Sequence, residues 1–418
     1  MRLQRKYALL KYYERNQQKS QTKFMKTGYS IRTWRMRLVC PEPIWLDRTE
    51  EYFQNVVEFY YHLLRQHEEL WNSSLFDIQR SLELLTLTGR DGRQPTNPLP
   101  MGKVPVYLRR AAINKASATV KSTQELQSGF PEKLEAKVTF FKGMYSDLTD
   151  RSICLKLWNG EKWIWTDCNL KGRPLPQDGQ LMSPTLVKEG RRYLLNIPVK
   201  QENSDARTAK ERMAEGTNLC SVRFTNTDTF AVCCILDEQG KQLAVHNCRG
   251  GDAYRHRCKL LETRIQKSRP NTVGDNSPQP NRKYYMHLKN LSEHYAHQVS
   301  REILNFCKEN QAGIIVLPDY DQNFTRMAMV KSGNFSPLHL SSKIRTNLQY
   351  KAWAEGILVL ETRTDGLKDK CAICGGKVRR KGNEFLCENG HQGNRFLNDA
   401  RNLGRKCQDS FFRGSRTK

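Results

Sequence analysis

The feature of this sequence that most restricts its fold lies in its second half. Three apolar stretches, 218–224, 229–236 and 241–248, are separated only by Thr225-Asn226-Thr227-Asp228 and Asp237-Glu238-Gln239-Gly240. Gaps this short return the chain as hairpins, so the stretches are expected to be neighbouring antiparallel strands. A basic helix over 254–269 follows, then a polar loop over 271–283. Leu288, Leu291, Tyr295, Val299, Ile303 and Phe306 recur at helical spacing and predict a long helix leading to a buried strand, 313–317. A helix over about 337–355, a second buried strand at 357–361 and a last helix near 394–407 complete the alternation.

A three-strand meander followed by helix-strand alternation is the order of an RNase H-like fold. The first half has a different grammar. Ile31, Trp34, Met36 and Leu38, interleaved with Arg32, Arg35 and Arg37, predict a strand that closes at Pro41 and Pro43. Between residues 45 and 120 the pattern is helical, with Tyr52, Val56, Phe59, Leu63, Gln66 and Leu70 at three-to-four spacing and further helices at 82–87 and 106–120. From 134 to 199 the period is two. The segments 136–140, 152–158, 162–165 and 192–197 are expected to form one antiparallel unit, with Asn159-Gly160 as a hairpin turn. If the strand at 30–40 joins that sheet, the helices are an insertion into a β-barrel-like domain. The polar run 201–216 is expected to be a linker. The predicted class is α+β and multidomain: a basic arm and first strand (1–43), a helical lobe (44–130), a β domain (131–205), the RNase H-like domain (206–366), a cysteine-rich insert (367–393) and a last helix with a basic tail (394–418).

The chain carries 69 Lys and Arg against 43 Asp and Glu, a net charge of +26. Such an excess suits a polyanion, either nucleic acid or an acidic membrane face. The longest apolar runs fall far short of the roughly 20 residues of a membrane span, which argues against a membrane protein. Eleven of the first 40 residues are basic and one, Glu14, is acidic, with no apolar signal segment. The expected compartment is the interior of the cell. The thirteen cysteines are odd in number, and Cys220, Cys233 and Cys234 lie singly in apolar patterns, as reduced core residues would. In the arm, Tyr7, Tyr12, Tyr13 and Phe24 stand among cations, an arrangement that can stack bases or simply form a solvated tail. Arg109, Arg110, Lys115 and Lys121 share a helix with small residues and are candidate phosphate contacts, the alternative being a solvated face.

The insert has the pattern Cys371-x2-Cys374-x12-Cys387-x3-His391. Zinc takes four soft or borderline ligands in a tetrahedron, and a two-residue gap lets one tight turn aim two thiolates at one ion. Gly375-Gly376 suits that turn. Lys377, Arg379, Arg380 and Lys381 lie between the halves and could touch phosphate. His391 is the weakest ligand of the four, with Cys407 a distant substitute and uncoordinated core cysteines the bland alternative.

The order of these parts resembles the compact RNA-guided nucleases encoded by transposons, TnpB, and the small type V CRISPR effectors. The most specific stretch is Asn394-Arg395-Phe396-Leu397-Asn398-Asp399-Ala400-Arg401-Asn402, which is similar to that family's closing Asp-x-Asn-Ala-Ala-x-Asn motif. The resemblance implies that the helical lobe is a recognition lobe, the β domain a wedge domain, the RNase H-like part a RuvC domain and the insert a target-nucleic-acid-binding zinc ribbon. It also implies that the basic helix, with Arg255, Arg257, Lys259, Arg264, Lys267 and Arg269, lines a heteroduplex channel. Arg395 and Arg401 of the last helix join the expected nucleic-acid contacts.

RuvC cleavage needs clustered carboxylates for two Mg²⁺ ions. Here the family's first-strand Asp corresponds to Arg223, or by a one-residue shift to Phe224, its fourth-strand Glu to Pro318, and its last-helix Asp to Phe396. Nearby acids are Asp228, Asp319, Asp321 and Asp399, the last displaced by a helical turn. The expectation is a nuclease-dead member that uses structural zinc, binds no Mg²⁺ at the RuvC-like site, and pairs a guide RNA with double-stranded target DNA beside a short flanking motif. It would repress transcription or recruit a transcription or transposition partner in a prokaryotic cytoplasm, without membrane attachment. The alternatives are an active endonuclease using the displaced acids, and an unguided nucleic-acid-binding or transposase-accessory protein.

Overall fold

The structure, a computed structural model, describes residues 28–89, 91–126, 129–203, 205–268, 281–320 and 336–413. The basic arm up to residue 27, Arg269, most of the polar loop and Asp321 lie outside the described residues. The chain divides into two compact units, residues 31–201 and residues 202–418 together with the first 30.

In the first unit the strand β1 (Tyr29–Val39) is followed by three helices, α1 (Pro43–Gln66), α2 (Leu75–Thr86) and α3 (Val106–Leu126). Then come β2 (Tyr145–Ser146), β3 (Ser152–Trp158), β4 (Trp163–Lys171), β5 (Gln180–Leu181), β6 (Thr185–Glu189) and β7 (Arg192–Glu202). They form one seven-stranded sheet in the order β2-β3-β4-β1-β7-β5, with β6 also on β7. β1 thus sits between strands that come more than a hundred residues later, and the helices are an insertion, as expected. The sheet is a curled half-barrel. Trp34, Met36 and Leu38 face the core and the interleaved Arg35 and Arg37 face outward. On α1 the buried stripe is Phe53, Val56, Val57, Tyr60, Tyr61, Leu63 and Leu64; it includes the predicted Val56 and Leu63, whereas Tyr52 and Phe59 are only half-buried. The 136–140 segment predicted as a strand makes a single bridge, Thr139 to Thr185, while β5 and β6 were not foreseen. The Asn159-Gly160 hairpin is a four-residue loop held by Asn159 Oδ1, which accepts from the Glu161 and Lys162 amides at 2.8 Å each.

The second unit contains α4 (Ala209–Ala214), the meander β8 (Leu219–Phe224), β9 (Ala231–Leu236) and β10 (Gln242–Cys248), then α5 (Gly251–Lys267) and α6 (Arg282–Glu309). It continues with β11 (Ile314–Asp319), α7 (Ser341–Trp353), β12 (Leu358–Arg363), a small sheet of β13 (Val378–Lys381), β14 (Glu384–Cys387) and β15 (Gln392–Asn394), and α8 (Arg395–Arg413). The main sheet runs β10-β9-β8-β11-β12. Its meander is antiparallel, and β11 lies parallel to both β8 and β12. Both faces are covered, so the two-residue alternation sorts side chains into two cores. Cys220, Val222, Cys233, Ile235, Ile315 and Leu317 pack against Val299 and Ile303 of α6 and Ile344 and Leu348 of α7. Leu219, Cys234, Leu236, Ile314, Val316 and Leu358 pack against Ala400, Leu403 and Cys407 of α8 and Met213 of α4. The core cysteines are free thiols, as predicted. Gly404 lets α8 press on this sheet, because a Cβ there would come within 2.5 Å of the Leu236 side chain.

The predicted 201–216 linker is instead structural. Thr208 and Glu211 close a capping box on α4. Behind it the fully buried Arg212 donates to the carbonyls of Gly313 at 2.7 Å and Gly356 at 2.6 Å, just ahead of β11 and β12, and to Asp205 O at 2.8 Å. A guanidinium with its donors satisfied by carbonyls can be buried, and the polar character of the segment concealed this.

Candidate functional site

Three positions converge beside β8, β11 and the first turn of α8. Arg223, near the end of β8, has its Nε 3.3 Å from Asp399 Oδ2 and donates from Nη1 to the Tyr320 hydroxyl at 2.6 Å. Arg380, on β13, approaches the same carboxylate from the other side, with Nη2 2.5 Å from Oδ1. It also donates to the Lys368 carbonyl. The Asp399 side chain is only 4% exposed, so one buried carboxylate lies between two guanidiniums. Arg395 stacks over the Phe396 ring with its guanidinium carbon 4.6 Å from the centroid. Burial, and after it Arg223, holds the Lys368 ammonium below its usual range, while burial raises the Tyr320 phenol.

Asp399, displaced from the position of Phe396 by a helical turn, contacts Arg223 directly. Residues three apart on a helix share a face and are separated by only about 4.5 Å of rise, so the displaced acid still reaches the strand end. Of the other displaced acids, Asp321 lies outside the described residues. The Asp228 carboxylate accepts the Asp252 amide at 3.1 Å in the first turn of α5, and Asp319 is exposed at the end of β11. Pro318 is buried, and its carbonyl accepts Arg345 Nη2 at 3.0 Å. Arg345 Nε lies 3.3 Å from Glu361, opposite Leu317 in register, a carboxylate that sequence reasoning missed. Glu361 has no motif around it and is recognisable only once β11 and β12 are paired.

The motif positions that match the resemblance have a visible role. Asn398 accepts the Ala372 amide at 2.8 Å and donates to Lys370 O at 2.9 Å, and Asn402 donates to Lys370 O at 2.8 Å. The two amides attach the base of the cysteine-rich insert to α8. Within the insert, one donor atom from each of Cys371, Cys374, Cys387 and His391 lies within 4.8 Å of the others. Backbone amides of Ile373 and Asn389 point at the Cys371 and Cys387 sulfurs, each at 3.4 Å. The Asn389 side-chain amide, followed by the Gly376 backbone, lowers the Cys374 thiol to about 6, favouring the thiolate that metals bind. His391 Nδ1 is buried without a hydrogen-bond partner, as a ligand nitrogen would be. The donor set therefore fits one tetrahedral metal ion. Cys407, the alternative fourth ligand, belongs to the core under α8.

Among the predicted nucleic-acid contacts, Arg257, Lys259, Arg264 and Lys267 are exposed on α5. Arg257 and Arg264 join His287, Asn290 and His294 of α6 around a groove of about 450 Å³. Arg255 is partly held by Asp252 at 3.0 Å. Lys115, Lys377 and Arg379 are exposed. Arg109 is a correction: it is 8% exposed and pairs with Glu83 at 3.0 Å, so it fastens α3 to α2 and is not offered to a phosphate. The same carboxylate takes Arg110 at 3.2 Å. Lys121 is tied to Ser73 O at 2.9 Å, and Arg401 to Gln242 Oε1 at 2.6 Å.

The Aq_aa04 family matches residues 30–159. No curated protein matches the sequence. Among solved structures, a Cas12f1–sgRNA–target DNA complex is similar over 90% of this chain and 99% of that one, at 12% identity and a TM-score of 0.51. The mini-RNA-guided endonuclease CRISPR-Cas_phi3 is similar over 90% and 92% respectively, at 9% identity and a TM-score of 0.51. C2c1 of Alicyclobacillus acidoterrestris with single-guide RNA aligns over 87% and 70%, at 10% identity and a TM-score of 0.49.

Proposed function

The chain has the fold of the compact type V effectors, and on that premise we propose that it is an RNA-guided DNA-binding protein that does not cut its target. The observation that carries this reading is the Arg223–Asp399–Arg380 arrangement. We take the β8–β12 sheet with α8 to be a RuvC-like domain. Two divalent cations at such a centre need several carboxylate oxygens, whereas the strand ends here present Arg223 and Pro318 and the helix presents Phe396 and a carboxylate already occupied by two guanidiniums. The residues do not fit Mg²⁺, since like charges in a partly dry site repel by several kcal/mol, roughly. Binding is then the activity. Base pairing with a guide selects the site, while exposed cations on α5 and the insert hold backbone phosphates. A persistent protein-held RNA–DNA hybrid blocks a polymerase or recruits a partner. Cys371, Cys374, Cys387 and His391 would hold a structural zinc, which cross-links the insert and takes no part in chemistry.

The test is to purify the protein with its RNA, sequence that RNA, and offer matched and scrambled duplexes in Mg²⁺ and in Mn²⁺. We expect selective binding of the matched duplex and no cleavage product. Equal affinity for both duplexes would sink the guided reading, and a cleavage product that requires the divalent ion and cofractionates with the protein would establish a working nuclease.

A further inference from the structure

Successive side chains of a strand point to opposite faces, so His246 and Cys248, two apart on β10, share one face. It is the face that packs on α6, and α6 brings Glu302 to the same place. His246 Nε2 lies 2.6 Å from Glu302 Oε1, and the Cys248 sulfur completes a group whose three ligand atoms all fall within 4.8 Å of one another. The thiol is fully buried, whereas His246 and Glu302 are half-buried and reach solvent. The Phe306 ring, one turn along α6 from Glu302, lies over the imidazole with centroids 5.2 Å apart and planes at 32°, which restricts rotation of His246. On the neighbouring strand Cys233 stands opposite His246 in register, and its thiol meets that of Cys248. A His–Glu hydrogen bond alone would be an ordinary surface contact. The thiol beside it sets this one apart, because imidazole, thiolate and carboxylate are the donors that zinc takes.

We propose that His246, Cys248 and Glu302 form a zinc site, separate from the cysteine-rich insert, that clips α6 to the edge strand β10 and leaves a fourth position for water. The deprotonated set carries two negative charges and so balances a divalent cation. Nitrogen and oxygen ligands of one tetrahedral zinc lie about 3.3 Å apart, so the ion enters by opening the His246–Glu302 contact by less than about 1 Å. On binding, Cys248 gives its proton to solvent and the imidazole proton moves from Nε2 to Nδ1, leaving Nε2 free to coordinate. The thiolate selects against Mg²⁺ and Ca²⁺, which take oxygen ligands. With three protein ligands the site holds metal less tightly than the four donors of the insert, so it fills from added metal.

The experiment titrates the full-length protein with Co²⁺, whose thiolate-to-cobalt absorption reports a sulfur ligand that bound RNA cannot imitate. It is run on wild type, on His246→Gln, on Glu302→Gln, and on a triple variant, Cys371→Ser with Cys374→Ser and Cys387→Ser, which removes the thiolates of the insert. Wild type and the triple variant should both gain a band of one-thiolate strength, which Zn²⁺ displaces and excess Mg²⁺ does not. His246→Gln and Glu302→Gln, at half-buried positions that tolerate an amide, should bind cobalt more than about 100-fold more weakly, since losing a ligand costs more than losing a group behind one. Added zinc should raise the thermal midpoint of wild type and leave that of Glu302→Gln unmoved. A band that survives His246→Gln and vanishes in the triple variant would overturn the site by assigning the cobalt to the insert. Cobalt bound without a thiolate band would remove Cys248 and with it the three-donor site, and an equal rise in midpoint for wild type and Glu302→Gln would overturn the clip.

Discussion

At the scale of single residues, Asp399 does the work of two partners. Its carboxylate neutralises Arg223 from the sheet and Arg380 from the insert, and all three side chains are less than a quarter exposed. Removing the shared partner from a buried charge cluster strands both cations. Asp399→Leu is therefore expected to destabilise the protein by about 3–5 kcal/mol, read from urea denaturation midpoints. Adding Arg223→Met to that variant should restore part of the loss, because an apolar replacement of a pair costs less than a broken one. Recovery of nothing would mean that Arg223 is held by Tyr320 alone. The identity of Arg223 was visible in the sequence. Its partnership was not, because Arg380 is 157 positions along the chain and nothing local links the two.

At the scale of elements, two segments decide how the second unit is built. The short helix α4 delivers Arg212 to four carbonyls, those of Gly313 and Gly356 just ahead of β11 and β12 and those of Asp205 and Arg207 in the chain ahead of the helix. Arg212→Met would fill the space but leave those acceptors dry. We expect a loss of about 3–5 kcal/mol and a lower thermal midpoint, whereas the neighbouring exposed Lys210→Met should change little. The cysteine-rich insert should carry one zinc per chain, measured by elemental analysis. Cys374→Ser should lower that ratio towards zero, and chelation should loosen β13–β15 while leaving the main sheet folded, because metal binding and folding are coupled only where the ligands lie. Full zinc content in His391→Ala would assign the fourth position to another donor.

At the scale of the whole molecule, charge is the governing quantity. A net +26 with exposed cations along α5 and the insert implies many phosphate contacts. Each contact releases counterions, so six contacts alone give a log-log salt slope of roughly −5 on duplex DNA. The intact protein with its RNA is expected to show a slope at least that steep, measured by fluorescence anisotropy. A shallow slope would mean that the exposed cations do not meet the backbone. No described helix is long and apolar enough to cross a membrane.

Short-range pattern was enough to establish the meander of β8 to β10, the buried strand β11, the existence of β12 and the metal-ligand spacing, because hairpin gaps, apolar runs and a two-residue cysteine turn act between residues close in sequence; β12, expected to be buried, is an edge strand in which only Leu358 is buried. The same holds for the absence of a carboxylate at Arg223, Pro318 and Phe396, which is a matter of residue identity. Tertiary structure decided what those identities do. It turned an apparent linker into the anchor around Arg212 and took Arg109 out of the surface onto Glu83. It brought Asp399 to Arg223 and paired Glu361 with Arg345. Burial and charge compensation depend on which distant segments meet, and that is a property of the packed chain, since periodicity reports only which face of an element is apolar.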